Sequence, residues 1–451
     1  MRRIYKNSGY LFSATGVAAV ISLLQSILVG RMLGVAGFGL MGTITMFTSV
    51  VNKFVSFRMT ELVIKYVGQY TETGDQKRAA AVFKTASLAE MLASVVAFLI
   101  IILLAPLAAE YLAKDANLAF LFMLYGLIIL ANLVSESSTG VLQVFDRYRN
   151  IASLNIVQSI LTLGLIFWAS ITNGGIVQVV LAYLIGKALG ALALTIAALI
   201  EANQQWGKNW WRTPFSLLRP QARELAHFAV STNLSATLNL VNKDGELLWV
   251  SFFRSPVEAG FYRTAMAITN LVQMPISPLP QSTYPEVGRE VTRKNWGNVR
   301  YILRQGTWIA GGFSLAVTLF LAFFGHQVIL LLYKDPGFLP AYPALMILLV
   351  GFLVANAFYW NRIALLALGL PDFPTKVNLV LAVLKIAGIL LLVPRFGYLA
   401  SASLFAAYYI FSTSIAAWKT YQTIRIHEAS GAPVPQPLPP EPETEFPSPQ
   451  D

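Results

Sequence analysis

Long apolar segments follow one another along nearly all of this 451-residue chain. Each is about as long as a helix that crosses a bilayer, roughly 20 residues. Apolar residues make up 56% of the chain and charged residues only 12%, a balance that soluble domains do not have. We therefore expect an all-α membrane protein with about twelve transmembrane helices. The predicted segments are 10–30, 38–57, 82–105, 118–138, 152–172, 176–200, 225–253, 261–282, 302–333, 342–369, 373–394 and 398–423.

Lysine and arginine are divided unequally between the two predicted sides of the membrane. The inner loops and ends hold 22 of them and the outer loops six, which predicts that both termini lie in the cytoplasm. The same asymmetry accounts for the net charge of +11 without a nucleic-acid partner. The predicted localisation is the cell (cytoplasmic) membrane. The six outer residues are Arg31, Lys114, Arg254, Arg263, Lys334 and Arg395.

The second half of the chain repeats features of the first at an offset of 223 residues. The pairs at this offset are Arg31 and Arg254, Gly37 and Gly260, Phe38 and Phe261, Asn155 and Asn378, and Gly174 and Gly397. A chance match between residues common at helix ends is the alternative. Six helices per repeat return the chain to the same side, so the repeat is parallel, with its pseudo-twofold axis along the membrane normal.

This repeat predicts two six-helix lobes, 1–205 and 225–428, which face one another across a central cleft. Transporters of this kind bind substrate near the lobe interface. The segment 206–224 is rich in Trp and Arg and is predicted to be a cytoplasmic linker between the lobes. The tail, 429–451, contains eight prolines and is predicted to be a disordered cytoplasmic extension.

Five basic residues lie inside the apolar segments: Lys53, Lys187, Lys243, Arg362 and Lys385. Each costs about 2.5 to 3.5 kcal/mol at the centre of an inserted helix, so we expect an aqueous, anion-receiving cavity. Lys187 and Lys385 are near the middle of their segments and Lys243 is in the outer half. These three are the main candidates for cavity residues. Arg362 is in the inner third and stays undecided, while Lys53 is close enough to an inner end to snorkel.

Two predicted helices also carry polar stripes at helical spacing, which favour either a cleft or hydrogen bonds between helices. The stripes are Thr45, Thr48, Ser49, Asn52 and Ser56 in the second helix, and Ser231, Ser235, Asn239, Asn242 and Glu246 in the seventh.

Acidic residues decide whether a cation in the membrane is half of an ion pair. Asp244 and Glu246 follow Lys243 directly. Asp244 projects away from the seventh-helix stripe and is suited to bind a neighbouring helix. Glu246 shares the stripe, so it either neutralises Lys243 or titrates as a site for H⁺ or Na⁺ coupling. Glu90 and Glu136 lie toward inner helix ends.

The sequence offers no sign of an enzyme, a cofactor or a metal site. It has no phosphate-binding loop ending in Gly-Lys-Ser/Thr, no cysteine, and only three scattered histidines. The glycine cluster from Gly34 to Gly39 lies in a predicted outer loop and is expected to form a tight turn.

Several motifs, each weakly specific and spread over nearly the whole chain, together resemble those of a known family. They are the run 7–44, Glu246-Leu-Leu-Trp, Ala259-Gly-Phe-Tyr, Thr283-Tyr-Pro, Leu370-Pro371-Asp372 and Val393-Pro-Arg-Phe-Gly397. In this order and spacing they resemble the polysaccharide-biosynthesis flippases of the multidrug/oligosaccharidyl-lipid/polysaccharide exporter superfamily. The resemblance implies a V-shaped pair of lobes that moves a polyprenyl-pyrophosphate-linked oligosaccharide from the inner to the outer leaflet.

For the site, the resemblance implies basic residues in a central cavity. Arg31, in an Arg-x-Leu-Gly element, matches a common family position, and Arg254 is its repeat mate. Implied partners are the lipid-linked substrate, membrane lipids, a polysaccharide polymerase and glycosyltransferases. The alternatives are a multidrug antiporter driven by H⁺ or Na⁺, a scaffold of a glycan-assembly complex that transports nothing, and a flippase for the peptidoglycan precursor.

Overall fold

A computed structural model describes the backbone of residues 2–239 and 245–430, and the side chains of 16–230 and 245–429. Lys243, Asp244, the 231–242 part of the seventh-helix stripe and nearly all of the Pro-rich tail lie outside the described side chains. Within the described residues the chain is helical and contains no strand, which confirms the predicted all-α class.

Helices of very different length alternate along the chain. Between residues 2 and 206 they are α1 (Arg2–Val55), α2 (Met59–Glu72), α3 (Gln76–Ala108), α4 (Ala119–Ala131), α5 (Ser135–Val144), α6 (Tyr148–Ile171) and α7 (Ile176–Trp206). After the short 3₁₀ segments Trp210–Arg212 and Phe215–Gln221 they are α8 (Ala222–Asn239), α9 (Glu246–Phe253), α10 (Pro256–Gln273), α11 (Leu279–Thr292), α12 (Trp296–Tyr333), α13 (Ala341–Ala357), α14 (Asn361–Ala367) and α15 (Asp372–Ser430).

The twelve predicted spans map onto these helices. Eight helical stretches of the described residues are long and apolar enough to cross a membrane. Two of them, in α1 and α15, each contain two predicted spans, divided where Gly34 and Gly397 both adopt a φ of 65°. Glycine adopts this left-handed conformation without a steric penalty. The two remaining predicted spans, 225–253 and 261–282, fall on α8–α9 and α10–α11, which are not among these eight stretches.

The structure extends the repeat seen in the sequence. In the first half, helices are interrupted at 56–58, between α1 and α2, and at 132–134, between α4 and α5. In the second half they are interrupted at 274–278, between α10 and α11, and at 358–360, between α13 and α14. These positions correspond, within a few residues, at the offset of 223.

The glycine cluster differs from the predicted tight turn. Only Gly34 departs from helical geometry, and Gly37 and Gly39 lie inside the helix that follows it. A Cβ on Gly39 would lie 1.9 Å from the carbonyl oxygen of Pro256 and 2.5 Å from the amide nitrogen of Gly260. Gly39 is therefore required because the backbones of α1 and α10 meet here, a close approach that small residues permit in membrane helices.

Packing divides the chain into two compact units. The first unit comprises 1–267, 327–341 and 393–398, and the second comprises 268–326, 342–392 and 399–451. The first unit has a buried cluster that includes Val63, Phe83 and Leu142. The second has one that includes Trp360, Leu303 and Ile424.

Candidate functional site

Arg263 lies two turns inside α10. The count of lysines and arginines in the predicted loops had assigned it to an outer loop. The helix begins at Pro256, and the hydroxyl of Ser255 accepts a hydrogen bond from the amide of Glu258 at 3.3 Å, as an N-cap does. The assignment of Arg263 to an outer loop is therefore wrong. A serine followed by proline and, two residues later, glutamate is a known helix-start signature that could have corrected it.

The guanidinium of Arg263 is half-buried in the first unit. Its central carbon lies 4.1 Å from the centre of the Phe38 ring, and Nη1 donates to the Phe38 carbonyl. A Cβ on Gly42 would come within 2.6 Å of Arg263 Cδ, so the glycine leaves room for the arginine stem.

Three tyrosines lie near this cation. They are Tyr125 on α4, Tyr183 on α7 and Tyr333 on α12. No Asp or Glu among the described residues lies within 4.0 Å of its nitrogens. A guanidinium has five N–H donors, so Arg263 retains donors that can bind an anionic group.

Lys187 lies one helical turn after Tyr183 on α7 and is exposed. Within the described part of the chain it forms no salt bridge. The backbone of α7 is held tightly against α6, because a Cβ on Gly186 would come within 2.0 Å of the Thr162 hydroxyl. Residues four positions apart lie on the same face of a helix, so Lys187 shares its face of α7 with Tyr183, which lies near Arg263.

The other predicted cavity cations have different surroundings. In the second unit Lys385 is 3% exposed, with its ammonium 5.4 Å from the centre of the Phe405 ring and 5.1 Å from that of Tyr408. Aromatic faces stabilise a cation at this distance. Arg362 is exposed on α14, just after the interruption at 358–360. Lys53 is exposed in the last turn of α1, and its snorkelling to the interface stays a prediction.

Arg31 and Arg254 both hold helix ends together. Arg31 donates from Nε to the Leu332 carbonyl at 2.6 Å and from Nη2 to the Leu331 carbonyl at 2.9 Å, at the C-terminus of α12. Basic side chains stabilise the partial negative charge of such ends. Arg254 pairs with Glu258 at 2.8 Å and donates to the Pro394 carbonyl at 3.3 Å. The substrate-binding role of these two arginines stays a prediction.

Two acids of the first unit cap the interrupted helices. The carboxylate of Glu90 accepts hydrogen bonds from the amides of Glu136 and Ser137, each at 2.8 Å, and from the Ser137 hydroxyl at 2.6 Å. Glu136 in turn accepts from the Met59 amide at 2.8 Å and from the Ser56 hydroxyl at 3.1 Å. Glu90 therefore caps α5 and Glu136 caps α2, where free amide groups need acceptors.

These carboxylates border a cavity of about 190 Å³ at the interruptions, which Asn52 and Asn132 also line. Glu246, in the first turn of α9, is 3% exposed. The described residues contain no group of three His, Asp or Glu side chains that could hold a metal ion.

Comparison with known proteins identifies the family of this chain. The sequence profile of the polysaccharide biosynthesis protein family matches residues 4–289. The chain belongs to this family. The MatE profile matches residues 247–391 in addition. The resemblance predicted from the sequence is thereby confirmed, and the family member is a multi-pass membrane transporter of the multidrug/oligosaccharidyl-lipid/polysaccharide exporter superfamily.

Individual relatives are distant in sequence. The inner membrane protein YghQ of Escherichia coli (strain K12) is 23% identical over 334 residues, which are 74% of this chain and 93% of that protein. An inward-facing multidrug resistance transporter of the MATE family matches with a TM-score of 0.71 and 15% identity, covering 92% of this chain and 96% of its own. The lipid II flippase MurJ, in an inward closed conformation, matches with a TM-score of 0.70 and 14% identity, covering 93% and 90%. At these identities the structural likeness shows the fold alone.

Proposed function

We propose that this family member flips a polyprenyl-pyrophosphate-linked oligosaccharide across the cytoplasmic membrane, by alternating access, for polysaccharide biosynthesis. The observation that supports it best is Arg263, a half-buried guanidinium near three tyrosines, with no carboxylate partner among the described residues. A desolvated cation is costly, and an anionic ligand offsets that cost. The planar guanidinium matches phosphate oxygens in a bidentate geometry.

In this proposal Arg263 and Lys187 bind the pyrophosphate in the first unit, while the polyprenyl chain stays in the lipid. Lys385 and Arg362 in the second unit, and Lys243 outside the described residues, are further proposed contacts. Arg31 and Arg254 are proposed to contribute to substrate binding at the outer helix ends. There Arg31 donates to a backbone carbonyl and Arg254 pairs with Glu258. Cytoplasmic termini and association with a polymerase and glycosyltransferases belong to the same proposal, as does coupling to H⁺ or Na⁺ through Asp244 or Glu246.

The test uses purified full-length protein in liposomes that contain a fluorescent polyprenyl-pyrophosphate oligosaccharide. A membrane-impermeant quencher reports the rate at which the sugar changes leaflet. Loss of charge-assisted hydrogen bonds worth about 1.5 to 3 kcal/mol should slow flipping about 10- to 100-fold in Arg263→Gln. Arg263→Lys keeps the charge without the planar fork and should lie in between.

Arg289→Gln is the matched control, because Arg289 is exposed and pairs with Glu286 at 3.0 Å. Its flipping rate should equal that of the unmodified protein. An unchanged rate in Arg263→Gln would contradict the proposed site. Ethidium efflux without oligosaccharide flipping would favour the multidrug antiporter, and flipping of only the peptidoglycan precursor would favour the narrower flippase.

A further inference from the structure

The linker between α7 and α8 is docked onto the first turns of α3. The rings of Trp206 and Trp210 lie 5.7 and 5.2 Å from that of Phe83. Lys84 donates from Nζ to the Thr213 carbonyl at 3.0 Å. These contacts fix the start of the linker relative to α3.

The end of the linker is fixed as well. Leu218 is 5% exposed, and it belongs to the buried cluster of the first unit. The hydroxyl of Tyr70 donates to Gln221, and that of Tyr66 donates to Glu224 at 2.8 Å. The linker residues 207–221, together with the first turn of α8, therefore form an ordered element of the first unit, with one face against the helices and the other away from them.

The length of α3 indicates how deep in the membrane we expect the linker to lie. With 33 residues, α3 is roughly 50 Å long, against a hydrocarbon core of about 30 Å. Its first turns carry Lys77, Arg78 and Lys84, and the docking residues Phe83 and Lys84 lie at the start of the predicted apolar segment 82–105. Phe83 lies about 10 Å along the helix from Gln76, at 1.5 Å per residue. A linker held at this depth lies at the boundary between the hydrocarbon and the polar layer.

The face of the linker that points away from the helices is basic and aromatic. We call it the linker surface. It consists of Lys208, Trp211, Arg212, Arg219 and Arg223, which are all exposed, together with the exposed side of the Phe215 ring, whose centre lies 4.0 Å from the Lys84 ammonium of α3. Trp211 is 53% and Phe215 49% exposed. Arg212 lies 4.9 Å from the Trp211 ring centre. None of the four basic residues forms a salt bridge with a described residue.

We propose that the linker surface binds the headgroups of anionic phospholipids. Exposed aromatic rings at a membrane boundary prefer the interfacial layer. Lysines and arginines beside them attract anionic headgroups over about a Debye length. Glu224, which accepts a hydrogen bond from Tyr66, adds one formal negative charge beside Arg223, so the four basic residues leave the linker with a net charge of +3. The proposal concerns the lipid around the transporter and does not depend on the substrate proposed above.

The experiment uses the full-length protein in nanodiscs. The native chain contains no cysteine, so Ser216→Cys, at an exposed linker position, gives a single site for a fluorescent label. Quenching by nitroxide-labelled phosphatidylglycerol is compared with quenching by nitroxide-labelled phosphatidylcholine at equal content. We expect phosphatidylglycerol to be enriched about threefold or more at low ionic strength, and we expect the enrichment to fall as salt is added.

Two variants with equal changes in net charge complete the test. Replacing Lys208, Arg212, Arg219 and Arg223 by Gln should bring the quenching ratio close to one. Replacing Lys77, Arg149, Arg289 and Lys294 by Gln, all of them exposed outside the linker, should leave the enrichment in place. Equal quenching by both lipids in the unmodified linker, at every salt concentration, would overturn the proposal. So would an enrichment that free glycerol phosphate abolishes at millimolar concentration, since the site would then bind a soluble anion.

Discussion

The two halves of the chain interrupt their helices at corresponding positions but complete the interrupted ends with different side chains. In the first half, the Thr60 hydroxyl donates to the Glu136 carbonyl at 2.9 Å, and the Glu136 carboxylate caps α2. At the offset of 223, Thr283 and Tyr359 form a hydroxyl pair, also at 2.9 Å. The contact is therefore repeated, while the carboxylate of one half is replaced by a phenol in the other.

The second half continues with neutral groups. The indole of Trp360 donates to the Thr307 hydroxyl at 2.8 Å, and the Asn356 amide donates to Ser314 at 3.1 Å. The repeated fold thus requires the interruption itself but does not require charge there. We infer that Glu90 and Glu136 serve first as structural caps of the first half.

The strongest test of this comparison is Glu90→Ala. Two amides and one hydroxyl would lose their acceptor, and unsatisfied buried donors cost roughly 1 to 3 kcal/mol each, so we expect a destabilisation of about 3 kcal/mol. The midpoint of thermal unfolding, followed by tryptophan fluorescence in detergent, should fall clearly. Glu110→Ala, an exposed acid further along the same segment, should leave it unchanged.

Glu90→Gln distinguishes a structural role of Glu90, as the cap of α5, from a role in coupling transport to an ion. The amide oxygen can still accept, so the loss of stability should be less than half of that in Glu90→Ala. If Glu90→Gln abolished transport while the unfolding midpoint stayed at that of the unmodified protein, the carboxylate would act in ion coupling, and the comparison between the halves would concern function rather than structure.

A smaller effect is expected for Glu136→Ala. The Met59 amide loses its cap and the Ser56 hydroxyl loses an acceptor, and lost helix caps cost about 0.5 to 2 kcal/mol. Hydrogen exchange should show the local consequence, with faster exchange in the first turn of α2 than in α6. Equal exchange rates in α2 before and after the substitution would mean that the cap contributes nothing there.

The sequence predicted the spans and the repeat well, because apolar length and the offset of 223 are properties of the whole chain. It failed where a decision rests on a few residues. The interruption at 132–134 falls inside the predicted segment 118–138, since Asn132, Leu133 and Val134 include no Gly or Pro. Arg263 was counted with the outer loops, although it is the third residue of the predicted segment 261–282, because the count treated that segment end as loop. The helix start at Pro256 places it two turns inside α10. The tyrosines near Arg263 come from α4, α7 and α12 and have no sequence pattern in common.

The smallest effect, and the sharpest comparison, is expected for Tyr359→Phe. It removes only the hydroxyl that pairs with Thr283, and a hydrogen bond between neutral groups contributes about 1 kcal/mol. A double-mutant cycle with Thr283→Ala should give a coupling free energy of about 0.5 to 1 kcal/mol, from unfolding midpoints. Tyr301→Phe, at a tyrosine that is 61% exposed, is the control and should have no effect. A loss in Tyr359→Phe as large as that in Glu136→Ala would show that the phenol and the carboxylate stabilise their helix interruptions equally, and charge would then not distinguish the two halves.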